Sequence, residues 1–406
     1  MSSDLHRCVD FTQRLIRTQS LPGEEGAIAE LVAAEMRTLG YADVEMDEVG
    51  NVVGRVRGSS AASAVMFNTH LDHVDVGEAA RWPHPPFGGE IHDDRIWGRG
   101  AVDIKGPLAA QVYGVGRLLE SEAPPAGDVW VTAVVQEEVG GAGARHLNTY
   151  LTPPLAIIGE PSGNTLRRGH RGRCELVVHI TGRSVHASVP HRGLNPFDVL
   201  APFLIGLESL DMTTQPDLGR STVAPTLIRT DQISGNVIPA EIWLTCDWRL
   251  VPGETADAAR SKLEELVAAC LIEGASAEVT VPEYHQMAHT GIEVVLVGEH
   301  PAYILGDDHP AVLAACEVLE PLLGSVDSVG TWRFATDGGH FSQAGVACIG
   351  FGPGDELLAH TVNEHIEIDA LGVALDGNEA LARGLAEKTA QLSEADAART
   401  PAERLP

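Results

Sequence analysis

Apolar residues at Leu5, Val9, Leu15 and Ile16, and again at Ile28, Leu31, Val32, Met36 and Leu39, recur at helical spacing and predict two opening helices. SLPGEEG separates them, and Gly40 ends the second. Past residue 50 the pattern shortens: NVVGRV, SAVMFNTH and DRIWGRG run at strand length. A helix fits GPLAAQVYGVGRLLE, and strands fit DVWVTAVVQEE and PLAIIGE. Apolar strands alternating with helices predict an α/β layer with a mostly parallel central sheet. From residue 174 the strands CELVVHITGRSVHASV and AEIWLTCDWRL and the helices PFDVLAPFLIGLESL and ADAARSKLEELVAACL suit an inserted α+β domain. The α/β pattern returns after residue 290, with VACIGFG as a further buried strand. The expected organisation is a main domain built from 1–173 and 290–390, an insert over 174–289, and a polar, Ala/Glu-rich tail over 391–406 expected to be disordered.

A chain of 406 residues can bury two cores. Its formal net charge of −29 argues against nucleic acid or an anionic membrane as partner, since both would repel it. The six cysteines lie far apart with no C-x-x-C pair, which suits reduced thiols. The first residues lack the apolar core of a signal peptide and no stretch approaches the length of a membrane span, so a cytoplasmic protein is expected.

Five short stretches set ionisable residues just after an apolar strand or beside glycines. They are THLDH (His70, Asp72), GRGAVDIKG (Asp103), VVQEEVGG (Glu137, Glu138), IIGEPSG (Glu160) and LLAHTVNEH (His360). In an open parallel sheet, ligands bind beyond the carboxyl ends of the strands. Carboxylates gathered there repel one another and call for a counter-ion, and mixed imidazole and carboxylate donors favour zinc over magnesium or calcium. Singly, each stretch has a plainer explanation. His70 and Asp72 suit a solvated loop, Asp103 a helix N-cap, Glu137 and Glu138 a surface pair, Glu160 a strand end before proline. His360, with Glu364 and His365, suits a hydrated cluster. Spacing alone leaves these alternatives open. On a strand, i and i+2 share a face, so one of His70 and Asp72 can ligate while the other orients it. Adjacent Glu137 and Glu138 point different ways, which lets one ligate while its neighbour holds a proton.

Together these stretches resemble the cocatalytic zinc family of acetylornithine deacetylase, succinyl-diaminopimelate desuccinylase and glutamate carboxypeptidase-like exopeptidases. The resemblance runs from about residue 8 to 385 and is most specific at HLD, GRGAVDIKG, QEEVGG, IIGEPSG and FGPGDELLAHTVNEH, in family order. VDIKGPLAA, GEPSG and HRGR look closest to hydrolases releasing lysine or ornithine, whereas GHRGRCEL, HRGLNP, TWRFATDGG and IGFGPG also resemble another hydrolase branch. The resemblance implies a zinc-exopeptidase-like catalytic domain with the insert as lid and dimerisation domain. It implies two Zn2+ per subunit, with Co2+ or Mn2+ as possible substitutes, bridged by Asp103. His70 and Glu160 would complete one site, Glu138 and His360 the other. Asp72 would orient His70, and Glu137 would be the general acid/base. His186 (GRSVHASVP) would reach a neighbouring active site in a homodimer and stabilise the oxyanion. Asn236 (SGNVIPAE) and Arg249 (DWRL) would contact a substrate carboxylate, and Gly338 and Gly339 (ATDGGHFS) would face that end of the substrate.

The implied activity is release of an amino acid from an N-acyl or N-aminoacyl amide, in the manner of an acetylornithine or acetyl-lysine deacetylase. A dipeptidase or carboxypeptidase of the same family is the alternative, and a non-catalytic metal-binding protein the rival of another class. The substrate would be a small N-acyl amino acid or short peptide. His73, Asp75, His84 and His92 match no ligand position and read as loop residues; His285, His289, His300 and His309 read as surface or lid-edge residues. GFGPG and GGAGA lack the Lys-Ser/Thr of a phosphate loop, and Ser162 lies outside any G-x-S-x-G.

Overall fold

A computed structural model describes residues 2–324 and 329–398. Its large sheet runs in the order Ala42–Met46, Val52–Val56, Asp128–Val134, Ser63–His70, Leu155–Ile158, Ala347–Gly350, Arg167–His170, Tyr303–Ile304, with Gly330–Trp332 beside Arg167–His170. The four strands from Asp128–Val134 to Ala347–Gly350 are mutually parallel, and the flanking pairs are antiparallel except Gly330–Trp332, which runs parallel to Arg167–His170. Such central strands are covered on both faces, which is why their sequences run apolar without alternation. Phe67, Val131, Ile157 and Ile349 lie in one core and Met66, Val134, Ala156 and Cys348 in the other. Helix Gly106–Gly116, apolar all round, is buried at every residue. Helix Gly26–Leu39 ends where Gly40 turns left-handed at φ 95°, as its position in the pattern predicts. Arg95–Trp97 departs from expectation: it joins Glu90–His92 and His365–Glu367 in a separate three-stranded sheet.

The insert forms an antiparallel sheet in the order Thr222–Thr230, Glu241–Arg249, Arg173–Thr181, Ser276–Thr280, with Glu299–His300 beside Arg173–Thr181. Every second residue is buried along its two central strands, so Leu176, Val178, Ile180, Ile242, Leu244 and Trp248 meet helices Phe197–Leu207 and Ala256–Ala269. The edge strand Thr222–Thr230 has no counterpart in the predicted elements. Pro225 and a register shift before Leu227 break its pattern, and edge position is where a strand tolerates proline.

The expected return to the main domain at residue 290 falls inside the hairpin of Glu283–Met287 and Glu293–Val297, and the chain rejoins the large sheet at Tyr303. That hairpin is tied to the main domain by Gln286 Nε2 donating to Pro22 O at 2.8 Å and Thr290 Oγ1 donating to Glu48 O at 2.7 Å. The last helix, Ile368–Ala398, continues through 391–398, where disorder was expected; Ala, Glu and Leu in QLSEADAA are good helix formers. Residues 399–406 of that tail lie outside the described residues. Among the described residues no helix is long and apolar enough to cross a membrane.

His170 ties the large sheet to the loop before Gly338. Its Nδ1 donates to Arg171 O at 3.0 Å and its Nε2 accepts from Thr336 N at 3.2 Å, so the ring is held neutral. Burial lowers its pKa to about 4. The unfolded chain, with an imidazole pKa of about 6.5, takes up the proton first as pH falls. The stability His170 contributes is therefore present above pH ~6.5 and lost as pH falls towards about 4. In urea unfolding, the stability gap between wild type and His170→Gln is expected to narrow over that interval. A gap independent of pH would contradict the neutral assignment.

Candidate active site

The four parallel strands end at one edge of the sheet, and each delivers a charged group there. Ser63–His70 ends on His70 and leads to Asp72; Asp128–Val134 leads to Glu137 and Glu138; Leu155–Ile158 leads to Glu160; Ala347–Gly350 leads to His360. Asp103 arrives from the irregular turn that precedes helix Gly106–Gly116, after Gly100 at φ 81°. It does not cap that helix, which has no side-chain cap.

The Asp103 carboxylate lies between two imidazoles. Oδ1 is 3.1 Å from His70 Nε2, and Oδ2 is 3.1 Å from His360 Nε2. Glu160 Oε1 stands 3.6 Å from His70 Nε2, and Glu138 Oε1 3.1 Å from His360 Nε2. Two donor triads result, His70–Asp103–Glu160 and Asp103–Glu138–His360, each with its ligand atoms within 4.8 Å of one another. Burial and neighbouring carboxylates push Glu137, Glu138 and Glu160 up. Burial also opposes ionisation of Asp103, but hydrogen bonds from His360 and His70 outweigh it and hold that carboxyl well below the usual range. His360 rises to about 10 because Asp103 and Glu138 accept its proton. In the absence of a cation, imidazolium protons supply the positive charge that the carboxylates demand. A divalent metal pair supplies the same charge and displaces those protons. His70 Nδ1 is committed to Asp72 O at 3.1 Å, which leaves Nε2 facing Asp103 as the ligating nitrogen.

Comparison with known proteins agrees with this geometry. Residues 66–383 match the family described as Peptidase family M20/M25/M40. An uncharacterized protein YgeY of Escherichia coli K12 is 30% identical over 364 residues, spanning 87% of this chain and 89% of its own length. A succinyl-diaminopimelate desuccinylase of Cereibacter sphaeroides is 30% identical over 378 residues, covering 89% of this chain and 94% of its own. The chain belongs to peptidase family M20/M25/M40. Solved M20-like folds superpose closely. Aminopeptidase PepT of Bacillus cereus has a TM-score of 0.74 at 19% identity, covering 94% of this chain and 99% of its own. The Bacillus subtilis YXEP protein, described as a dinuclear metal binding peptidase from M20 family, has a TM-score of 0.71 at 15% identity, covering 95% and 99%. As an M20 family member, the protein is a hydrolase acting on amide or peptide bonds.

In this M20 chain a layer of buried polar groups fixes the donor set. Asp72, fully buried, accepts from Glu137 N through Oδ1 and from Glu138 N through Oδ2, both at 3.1 Å, so its carboxylate aligns both glutamates while its backbone carbonyl holds His70. Glu25 accepts from Gln136 N at 3.2 Å just before them. Glu364 accepts from Val102 N at 3.1 Å and Asp103 N at 3.2 Å, and pairs with Arg99 at 2.5 Å. Sequence reasoning placed Glu364 in a hydrated cluster; it is fully buried, and burial pushes it up to about 7. The glycine-rich loops close the frame. Gly352 N donates to Ser162 Oγ at 3.0 Å, and a Cβ on Gly352 would sit 2.5 Å from Glu160 O. His360 itself is held at φ 62°, a conformation a non-glycine residue rarely adopts.

A cleft of about 320 Å³ opens over the donors, lined by Asp103, Glu137, Glu138, Glu160 and His360 from the main domain and by Arg173 and Arg249 from the insert. Asp247 holds both arginines, at 2.7 Å from each Nε. Arg173 was not singled out in the sequence. His300 was read as a surface or lid-edge residue; it lies on the strand beside Arg173, is buried, lines the cleft, and donates through Nε2 to Glu137 O at 3.4 Å. His73, read as a loop residue, and His289, read as a surface or lid-edge residue, lie in a loop and a hairpin turn but both make packing contacts. His73 is buried and accepts from Ser20 N at 3.0 Å, while His289 packs against Gly26 and Gly50. Gly338 and Gly339 are buried, and a Cβ on Gly339 would lie 2.1 Å from Pro301 O. Their smallness serves packing, and the cleft wall in that segment is Phe334 and Ala335. His186 and Asn236 sit together on the insert, where the Asn236 carbonyl accepts from Ala187 N at 2.9 Å. Both are exposed, and neither lines this chain's cleft. A larger cavity of about 840 Å³ adjoins the cleft at Glu356, but the donor triads lie outside it.

Removing Glu364 leaves Arg99, 3% exposed, as an unpaired buried charge. Glu364→Ala is expected to cost about 3–5 kcal/mol in urea unfolding. It should also weaken metal affinity by about 10–100-fold in a competition titration, since Asp103 N loses its acceptor. Unchanged metal affinity would remove Glu364 from the support of the site.

Proposed function

We propose that the protein is a two-metal amidohydrolase, with zinc as its metal, that releases an amino acid from an N-acyl or N-aminoacyl amide. The observation that carries this reading is the Asp103 carboxylate, 3.1 Å from an imidazole on each side and shared by two donor triads. The donor set fits zinc, whose ligands are imidazole and carboxylate groups in small numbers. His70, Asp103 and Glu160 would hold one ion, and Asp103, Glu138 and His360 the other. Co2+ or Mn2+ would serve the same donors. When bound, the pair polarises a scissile carbonyl and makes hydroxide available near neutral pH.

The chain's own residues supply the rest. The Glu137 carboxylate, which makes no hydrogen bond to any described residue, faces the cleft. It takes a proton from the attacking water and delivers it to the leaving nitrogen. Arg249, seconded by Arg173, offers its guanidinium to a substrate carboxylate, a group that N-acyl amino acids and short peptides share. His186 stabilises the oxyanion in a neighbouring subunit's cleft, with Asn236 beside it. A homodimer through the insert is supported by the edge strand Thr222–Thr230, where Leu227 is 62% and Ile228 48% exposed, and by Ile205 of helix Phe197–Leu207 at 75%. The free cysteines, four of them buried, favour a reducing cytoplasmic setting.

Glu137→Gln is expected to lower kcat by about 10²–10⁴-fold on the best substrate of an acetylornithine, acetyl-lysine, succinyl-amine and dipeptide panel, while metal content stays at the wild-type value. Activity near wild type would remove Glu137 from the chemistry. Preference for dipeptides over acylated amino acids in that panel would select the exopeptidase alternative.

A further inference from the structure

His84 and His92, which match no ligand position of the main centre, meet across Glu90 on the opposite side of Trp97 from His365. His92 Nε2 is 2.9 Å and His84 Nδ1 4.0 Å from Glu90 Oε2, and the three donor atoms all lie within 4.8 Å of one another. Zinc–nitrogen and zinc–oxygen bonds of about 2.0–2.2 Å place tetrahedral donors about 3.3–3.5 Å apart. The two separations bracket that spacing; the His84 and His92 rings, stacked at 12° to one another, turn out of that stack for both nitrogens to face one ion.

The backbone that carries the donors is held in place. The hairpin Glu90–His92/Arg95–Trp97 pairs Glu90 with Trp97 and His92 with Arg95. His84 is flanked by Pro83, Pro85 and Pro86, whose rings restrict the backbone. The next turn is pinned by Arg99 N donating to Pro86 O at 2.8 Å. The imidazole of His84 stacks on His92 with centroids 4.0 Å apart and leans on Trp97 at 4.7 Å.

We infer that His84, Glu90 and His92 form a third site, separate from the Asp103 centre, for a divalent transition-metal ion of the zinc or nickel kind. Two imidazoles and one carboxylate leave a fourth position open to water. Magnesium and calcium, which prefer oxygen donors, would not compete. Because Trp97 also pairs with His365, one residue beyond Glu364, an ion here clamps the small sheet that carries the support of Asp103. The proposal does not depend on the catalytic reading.

The test is equilibrium dialysis of the full chain against buffered Zn2+, with metal per chain counted by mass spectrometry for wild type, His92→Ala, Glu90→Gln and His70→Ala. His92 and Glu90 are 44% and 45% exposed, so these variants keep the fold. Both are expected to hold one ion fewer than wild type, while His70→Ala retains the ion that they lose. Equal counts in wild type, His92→Ala and Glu90→Gln would overturn the third site. A loss confined to His70→Ala would do so while leaving the Asp103 centre intact.

Discussion

A carboxylate that must answer to two imidazoles at once sets the position of everything around it. Asp103 satisfies His70 with one oxygen and His360 with the other, and each imidazole brings a glutamate of its own. Four carboxylates with Glu137 would be untenable in a buried cleft without compensating charge, because like charges at such distances cannot all ionise. The geometry is stable with two protons on the imidazoles and is suited to two cations in their place. Proximity of this kind is expensive, and the fold arranges it through the sheet and the layer of hydrogen bonds beneath it.

Four adjacent parallel strands ending at one edge bring four of the donor segments within reach without long loops. What the strands leave loose, buried acids fix. Asp72 reaches His70 and the amides of Glu137 and Glu138; Glu364 reaches the amide of Asp103. Both acids accept from backbone amides, and Glu364 is itself held by Arg99, so the ligand segments are fixed through the chain. The insert then contributes cations where the main domain contributes anions, and Asp247 aims Arg173 and Arg249 together. In the proposed reaction, a substrate with an anionic end and a scissile amide would meet both halves of the cleft.

Much of this was legible in the residues because charge interrupts an apolar run only for a reason. SAVMFNTH stops at His70 and PLAIIGE at Glu160, and both residues lie where the sheet ends. The order of elements and the insert followed from the same periodicity. Other features depend on partners far along the chain and left no local trace. His300 is recognised only through the Glu137 carbonyl, Glu364 through Asp103, and His73 through Ser20. Thr222–Thr230 escaped because an exposed edge strand has no buried face to print an alternation. Gly338 and Gly339 have Tyr303 and Pro301 where side chains would lie, a packing constraint set by partners distant along the chain.

Anomalous diffraction at the zinc edge, from crystals grown with zinc, locates the cations themselves. Two peaks in the cleft about 3.5–4 Å apart are expected, with one Asp103 oxygen beside each. A single peak, or a pair lying away from Asp103, would contradict that placement.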